Sequence, residues 1–170
     1  MANNIANKLV INATTEEEIE KFLSAIIGVE KDEFLHIDFE RILPTPECLL
    51  KCESIDWYDW RINNWGTKWN AYDTDIDCCD GRVVLSFYTA NHGVIPVIKK
   101  LIEMFPNLEF IYKFADEVIA CNCGEGYGAD GSASFKSAED ESDEAMALYI
   151  ECWQEEWDNF KKTKDGWIYN

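Results

Sequence analysis

A chain of 170 residues, 47% hydrophobic and 14% aromatic, is long enough for one domain and too apolar for disorder. Against 15 basic residues stand 33 acidic ones, and the net charge of −18 repels nucleic-acid phosphate and anionic lipid, which argues against direct nucleic-acid binding and for partners of opposite charge. No apolar window approaches the roughly 18 residues of a membrane span, and seven cysteines without a basic leader point to free thiols in a reducing cytoplasm.

In chain order, Lys8 to Ala13 reads as a first strand. Thr14 and Thr15, with Glu17 and Glu18 three residues on, have capping-box spacing, so a helix should run from Thr15 to Ile27 and stop at Gly28. Ile19, Phe22, Leu23 and Ile26 form its apolar face. Phe34 to Phe39 alternates as a short strand, and Ile42 to Pro46 continues extended. Ser54 to Asn64 reads as a helix stopped by Gly66, followed by a strand from Lys68 to Tyr72 and an acidic turn from Asp73 to Gly81. Val83 to Thr89 is the clearest strand. Gly93 to Phe105 is a helix with Pro96 in its first turn, and Leu108 to Phe114 is the strand after it. Val118 to Asn122 and Ser132 to Phe135 are further short strands around a glycine-rich turn. Ala138 to Phe160 reads as one long helix with an apolar stripe that includes Trp153 and Trp157; between Lys136 and Lys161 nine residues are acidic and none is basic.

This order predicts an α+β fold with a mixed or antiparallel sheet, helices packed on one face, and the long C-terminal helix as an appendage. Val83 to Phe114 should be a strand–helix–strand crossover that leaves its two strands parallel in one sheet. Residues 1–136 form the body and 137–170 the acidic helix, one domain overall.

Trp57 to Ala71, WYDWRINNWGTKWNA, holds four of the seven tryptophans. Indoles in such density make either a core or a groove with polar handles. Asn64-Trp65-Gly66-Thr67-Lys68-Trp69-Asn70-Ala71 resembles the signature of the Api92-like proteins, which carry a YubB-type ferredoxin-like domain and occur in phages, plasmids and bacteria. The resemblance continues through Phe87-Tyr88-Thr89-Ala90, Ile95-Pro96-Val97-Ile98 and Phe105-Pro106-Asn107-Leu108-Glu109-Phe110, then Ala115-Asp116-Glu117 leading to Asn122-Cys123-Gly124. It implies a ferredoxin-like fold and brings no settled activity with it. The sequence departs from the family where an aromatic and two prolines follow Thr-Ala; Asn91-His92-Gly93 stands there instead.

Other patterns are weaker. Asp73, Asp75 and Asp77 occupy the first, third and fifth positions of a calcium loop, but Cys78 and Val84 stand where glycine and a bidentate glutamate belong. Gly126, Gly128 and Gly131 fit GxGxxG, yet a strand rather than a helix follows, so a hairpin connection is the better reading. Cys48/Cys52, Cys78/Cys79 and Cys121/Cys123 lack zinc-knuckle spacing, although Cys121 and Cys123 would share a strand face. His36 reads as a strand side chain, and His92 as a loop residue. No cofactor, metal or catalytic residue is expected.

The function expected is that of a non-catalytic binding or adaptor protein that meets a basic protein surface, one form being a mobile-element inhibitor of a host protein. Glu151, Glu155, Glu156 and Asp158 would supply its acidic surface. The alternative is a small-ligand, nucleotide-like sensor or sponge. Its groove would be lined by Trp57, Trp60, Arg61, Asn64, Trp65, Lys68, Trp69 and Asn70, with indoles for stacking and two cations for charge.

Overall fold

The structure, a computed structural model, describes residues 2–29, 35–51, 56–79, 81–164 and 166–170. Strand β1 (Asn4–Asn12) leads to helix α1 (Glu16–Ile26), the short strands β2 (Ile27–Val29) and β3 (Leu35–Ile37), and helices α2 (Phe39–Ile42), α3 (Glu47–Leu50) and α4 (Asp56–Trp65). Next come β4 (Tyr72–Cys79), β5 (Arg82–Ala90), α5 (Ile95–Met104), β6 (Glu109–Asp116), β7 (Gly124–Ala129) and β8 (Ser132–Ser137). Helix α6 (Asp143–Trp153), a 3₁₀ turn (Trp157–Asn159) and the hairpin β9 (Phe160–Thr163)–β10 (Gly166–Tyr169) complete the chain.

The main sheet has the order β4-β5-β1-β6-β7-β8, with every neighbouring pair antiparallel. Strand β1 lies between β5 and β6 and runs opposite to both, so β5 and β6 are parallel to each other, as the crossover pattern predicts. Strands β4-β5-β1-β6 with α1 and α5 are the ferredoxin-like unit, and the fold is α+β.

Alternation along β1 divides two cores. Ile5, Leu9 and Ile11 face one side with Phe22 and Ile26 of α1, Val97, Ile98 and Leu101 of α5, and Trp65. Ala6 faces the other side with Ala115 and with Met146, Leu148 and Tyr149 of α6. The sheet is therefore covered on both faces, and the expectation of helices on one face is corrected. Helix α6 is apolar on two sides because it packs between sheet and terminal hairpin, where Tyr149 meets Phe160 at 5.8 Å between ring centroids.

Several local readings hold. Thr15 caps α1 with the predicted box: its hydroxyl accepts from the Glu18 N–H, and the Glu18 carboxylate accepts from the Thr15 N–H. Gly66, at φ +86°, ends α4. The cap expected at Ser54 lies outside the described residues, as do Phe34 and Cys52.

Other readings are corrected. Helix α1 ends at Ile26 without a glycine cap, because Ile27 turns extended and enters β2 directly. The first strand starts at Asn4, since buried Asn7 satisfies its amide with Ile5 and Phe87 carbonyls and the Thr89 hydroxyl. Ala120 and Asn122, at φ +53° and +45°, make 118–122 a turn rather than a strand. The stretch 73–79 is an edge strand and not a turn: Thr74 and Ile76 are partly buried while Asp73, Asp75 and Asp77 are exposed.

The glycine-rich segment pairs fully with β8 as β7, and Asp130-Gly131 closes the hairpin with both residues at positive φ. Added Cβ atoms at Gly126 and Gly128 would sit 2.3 Å from Phe135 and Ile102, so these glycines admit core side chains to the strand. The long terminal helix is shorter than expected. Ser142 caps α6, Gln154 turns left-handed at φ +56°, and the rest becomes the 3₁₀ turn and hairpin.

Candidate functional site

The indole-rich segment is tied to the body residue by residue. Trp65 is fully buried and donates its indole N–H to the Leu43 carbonyl at 2.8 Å. Trp60 packs edge-on against it, 6.3 Å between centroids. Arg61 lies over Trp65 at 4.5 Å and Trp57 at 5.1 Å. Its guanidinium pairs with Glu40 at 2.6 Å, and the Glu40 carboxylate also accepts from the backbone and hydroxyl of Thr45. Asn64 donates to the Trp60 carbonyl. Thr67, buried, donates to the Ala90 carbonyl and accepts from the Ala90 N–H, stapling the segment to the end of β5. Asn70 accepts from the Phe39 N–H and donates to Asp38.

Lys68 and Trp69 differ. Trp69 is 50% exposed, and the Lys68 ammonium sits 3.9 Å from its ring centroid. Beside Trp69 opens a cleft of about 470 Å³ lined by Ala2, Asn4, Trp69, Tyr72 and Glu117. The structure thus separates the predicted groove into two places. Arg61, Trp65 and Asn70 tie to α2 and its flanks, with Trp57, Trp60 and Asn64 held around them within α4, while Lys68 and Trp69 reach solvent near β4. Glu117 belongs to the Ala115-Asp116-Glu117 block, but no sequence pattern joins it to Tyr72 and Asn4; the register of β4 and the N-terminal start of β1 bring the three together.

The acidic residues also divide. Glu151 is an internal counter-ion, pairing with Lys8 of β1 at 3.1 Å and Lys113 of β6 at 2.5 Å, two lysines directly opposite each other in the sheet. Burial pushes its carboxyl up, but the hydrogen bonds from Lys113 and Lys8 outweigh that and hold it below the usual carboxylate range. Glu155 accepts from Tyr169 and Asn159. Glu156 and Asp158 are exposed, as are Asp73, Asp75 and Asp77 along β4. None of these five makes an ion pair among the described residues. Asp73 and Asp75 share a small groove with Gln154 at the end of α6, so the β4 row and the chain after α6 border one surface.

Three of the thiols are shifted by their surroundings. Burial pushes Cys121 up, with Asp140, Glu141 and Asp116 adding to it. Burial likewise raises Cys123 to about 12 and Cys152 well above its ordinary value. A raised thiol is a weaker nucleophile at neutral pH. Cys123 donates to the Cys121 carbonyl. Cys48, Cys78 and Cys79 are exposed. No group of three or more metal-ligating side chains occurs among the described residues. His36 lies against Gly28, its Cε1 2.9 Å from where a Cβ would stand.

Residues 65–166 match the family model described as the ferredoxin-like domain in Api92-like protein. The chain belongs to this family. Among solved structures it is similar to the Api92 protein from Yersinia pseudotuberculosis, at 14% identity and a TM-score of 0.45. That match covers 60% of this chain and 40% of the Yersinia protein, so the chain spans about two-fifths of that protein's length. No curated protein matches the chain.

The Api92-like motifs now have physical content. Asp116 is a buried carboxylate held by neutral donors: Asn3 at 3.0 Å, Asn122 at 3.1 Å and the Val118 N–H at 3.0 Å. Its backbone carbonyl accepts from the Trp153 indole, which docks α6. The departing loop Asn91-His92-Gly93 is locked as well. Asn91, at φ +68°, accepts from the Asn3 N–H, and a Cβ on Gly93 would lie 2.6 Å from the Phe114 ring. Among the described residues, no helix is long and apolar enough to cross a membrane.

Proposed function

We propose that the protein is a non-catalytic, cytoplasmic binding or adaptor protein that docks onto a basic surface of a partner protein. The observation that carries this reading is the row of exposed carboxylates on β4 (Asp73, Asp75 and Asp77), which shares its border with the acidic chain after α6 and holds no cation of its own. Lys8, Lys51, Arg61, Lys100, Lys113, Lys136 and Lys162 all pair with carboxylates elsewhere in the chain. An anionic face of this kind repels nucleic acid and speeds encounter with a cationic protein. A mobile-element inhibitor that places carboxylates where a nucleic-acid enzyme expects phosphates is one concrete form.

The test is a pull-down from the native host at two salt concentrations, using the wild-type chain and a variant carrying Asp73→Asn, Asp75→Asn and Asp77→Asn. A basic protein retained at low salt, released at high salt and lost with the variant is the expected result. Retention that ignores both salt and variant defeats the reading.

A second reading, a small-ligand sensor or sponge, is favoured by half-exposed Trp69 with Lys68 on its ring face. Isothermal titration against a nucleotide panel tests it; absence of heat ends it.

A further inference from the structure

Sorting the family signature by what each side chain does for the fold leaves a remainder. Trp65, Gly66, Thr67 and Asn70 are each fixed by burial, backbone angle or hydrogen bonds, and Ala71 is buried. Lys68 and Trp69 touch each other and solvent. An indole left half exposed at the rim of a cleft offers a ring face to a ligand.

The chemistry of that cleft is one-sided. Its walls are the Trp69 indole and the Tyr72 phenol, whose ring faces are electron-rich. Glu117 accepts from the Asn4 N–H at 3.1 Å and the Asn4 side-chain amide at 2.9 Å, both on Oε2. Its Oε1 makes no hydrogen bond among the described residues. The Tyr72 hydroxyl spends its proton on Asn4 Oδ1 at 2.6 Å, so only its lone pairs remain available. Asp73 follows Tyr72 directly; burial raises the phenol above its ordinary value, and the charges of Asp73 and Glu117 add to that. Among the described residues, no lysine or arginine lines the cleft. Lys68, outside it, already demonstrates that the Trp69 ring accepts an ammonium.

We propose that the Trp69–Tyr72–Glu117 cleft binds the guanidinium or ammonium group of a basic side chain presented by a protein partner. The aromatic walls take the cation's face, and Glu117 Oε1 takes an N–H. This assignment rests on the basic-partner reading and gives that surface an anchor. It also explains why a phosphate-bearing ligand suits the cleft badly: acceptors would face acceptors.

The test uses the full chain, with N-acetyl-arginine amide and tetramethylammonium as cationic probes and adenosine monophosphate as the anionic one. Binding is read in every variant from the backbone amide resonances of Tyr72 and Glu117, at constant ionic strength. Saturable shifts with both cations and none with the nucleotide are expected. Glu117→Gln should weaken the arginine probe about tenfold and Trp69→Ala should abolish it, each variant keeping the folded amide spectrum because neither side chain lies in a core. Equal arginine affinity in Trp69→Ala, or a stronger response to the nucleotide, overturns the proposal. A nona-arginine peptide separates the two levels. If it binds wild type and Trp69→Ala equally and salt-sensitively, the cleft assignment falls while the basic-partner reading stands. If it fails to bind wild type at low salt, both fall.

Discussion

Gly66 has a backbone angle that only glycine adopts without cost, and a Cβ there would lie 2.8 Å from the Gly93 carbonyl oxygen. That contact joins the turn after α4 to the loop before α5. Gly66→Ala should therefore destabilise the protein by about 2 kcal/mol, read from urea unfolding midpoints. Thr67, one residue on, makes a reciprocal pair of hydrogen bonds with Ala90 across the same junction. At this scale the sequence was legible where one residue has one job: the Thr15–Glu18 box and the Gly66 stop follow from backbone chemistry alone. Whether an indole is core or surface was not legible. Trp65 and Trp69 sit four residues apart in one run, yet one is sealed and the other half exposed. The difference comes from Leu43 and Phe39, contributed by a distant segment.

At the scale of elements, α6 is oriented by charge as much as by apolar packing. Glu151 bridges two lysines that face each other across neighbouring strands and would otherwise repel. Glu151→Gln should cost about 1–2 kcal/mol at neutral pH, discounted for the carboxylate's partial exposure. Because the folded carboxyl lies below its ordinary 4.5, the stabilisation is fully present above that pH and fades as the pH falls through the folded value. The gap between wild type and variant, followed by denaturant titration from pH 7 to 3, should close in that acid range. Sequence periodicity misplaced the end of this helix. The apolar stripe does continue to Phe160, but the residues after Trp153 pack through a left-handed Gln154 and a hairpin that presents the same side chains without helical geometry. Strand β4 was misread for a related reason. Aspartates argue for a turn in isolation, whereas an edge strand tolerates them on its open face.

For the whole molecule, a net charge of −18 is a self-repulsion that folding concentrates. The melting temperature should rise by several degrees between about 10 and 500 mM sodium chloride as screening relieves it; a flat or falling trend would place the carboxylates in compensating networks instead. The ferredoxin-like order was legible from the alternation of strands and helices and from the family motifs. The second core was not, because half its apolar residues lie after Ala138, where period alone suggested one continuous helix. One topological fact shapes how the chain must mature. Strand β1 sits in the middle of the sheet, yet its neighbours β5 and β6 are translated much later: Asn3 meets Asp116 across 113 residues. A nascent chain halted before Asp116 therefore carries an apolar ribbon with one or both of its edges bare. Productive collapse must await release of the sixth strand from the ribosome, and until then the chain is a natural client for chaperones that shield exposed backbone.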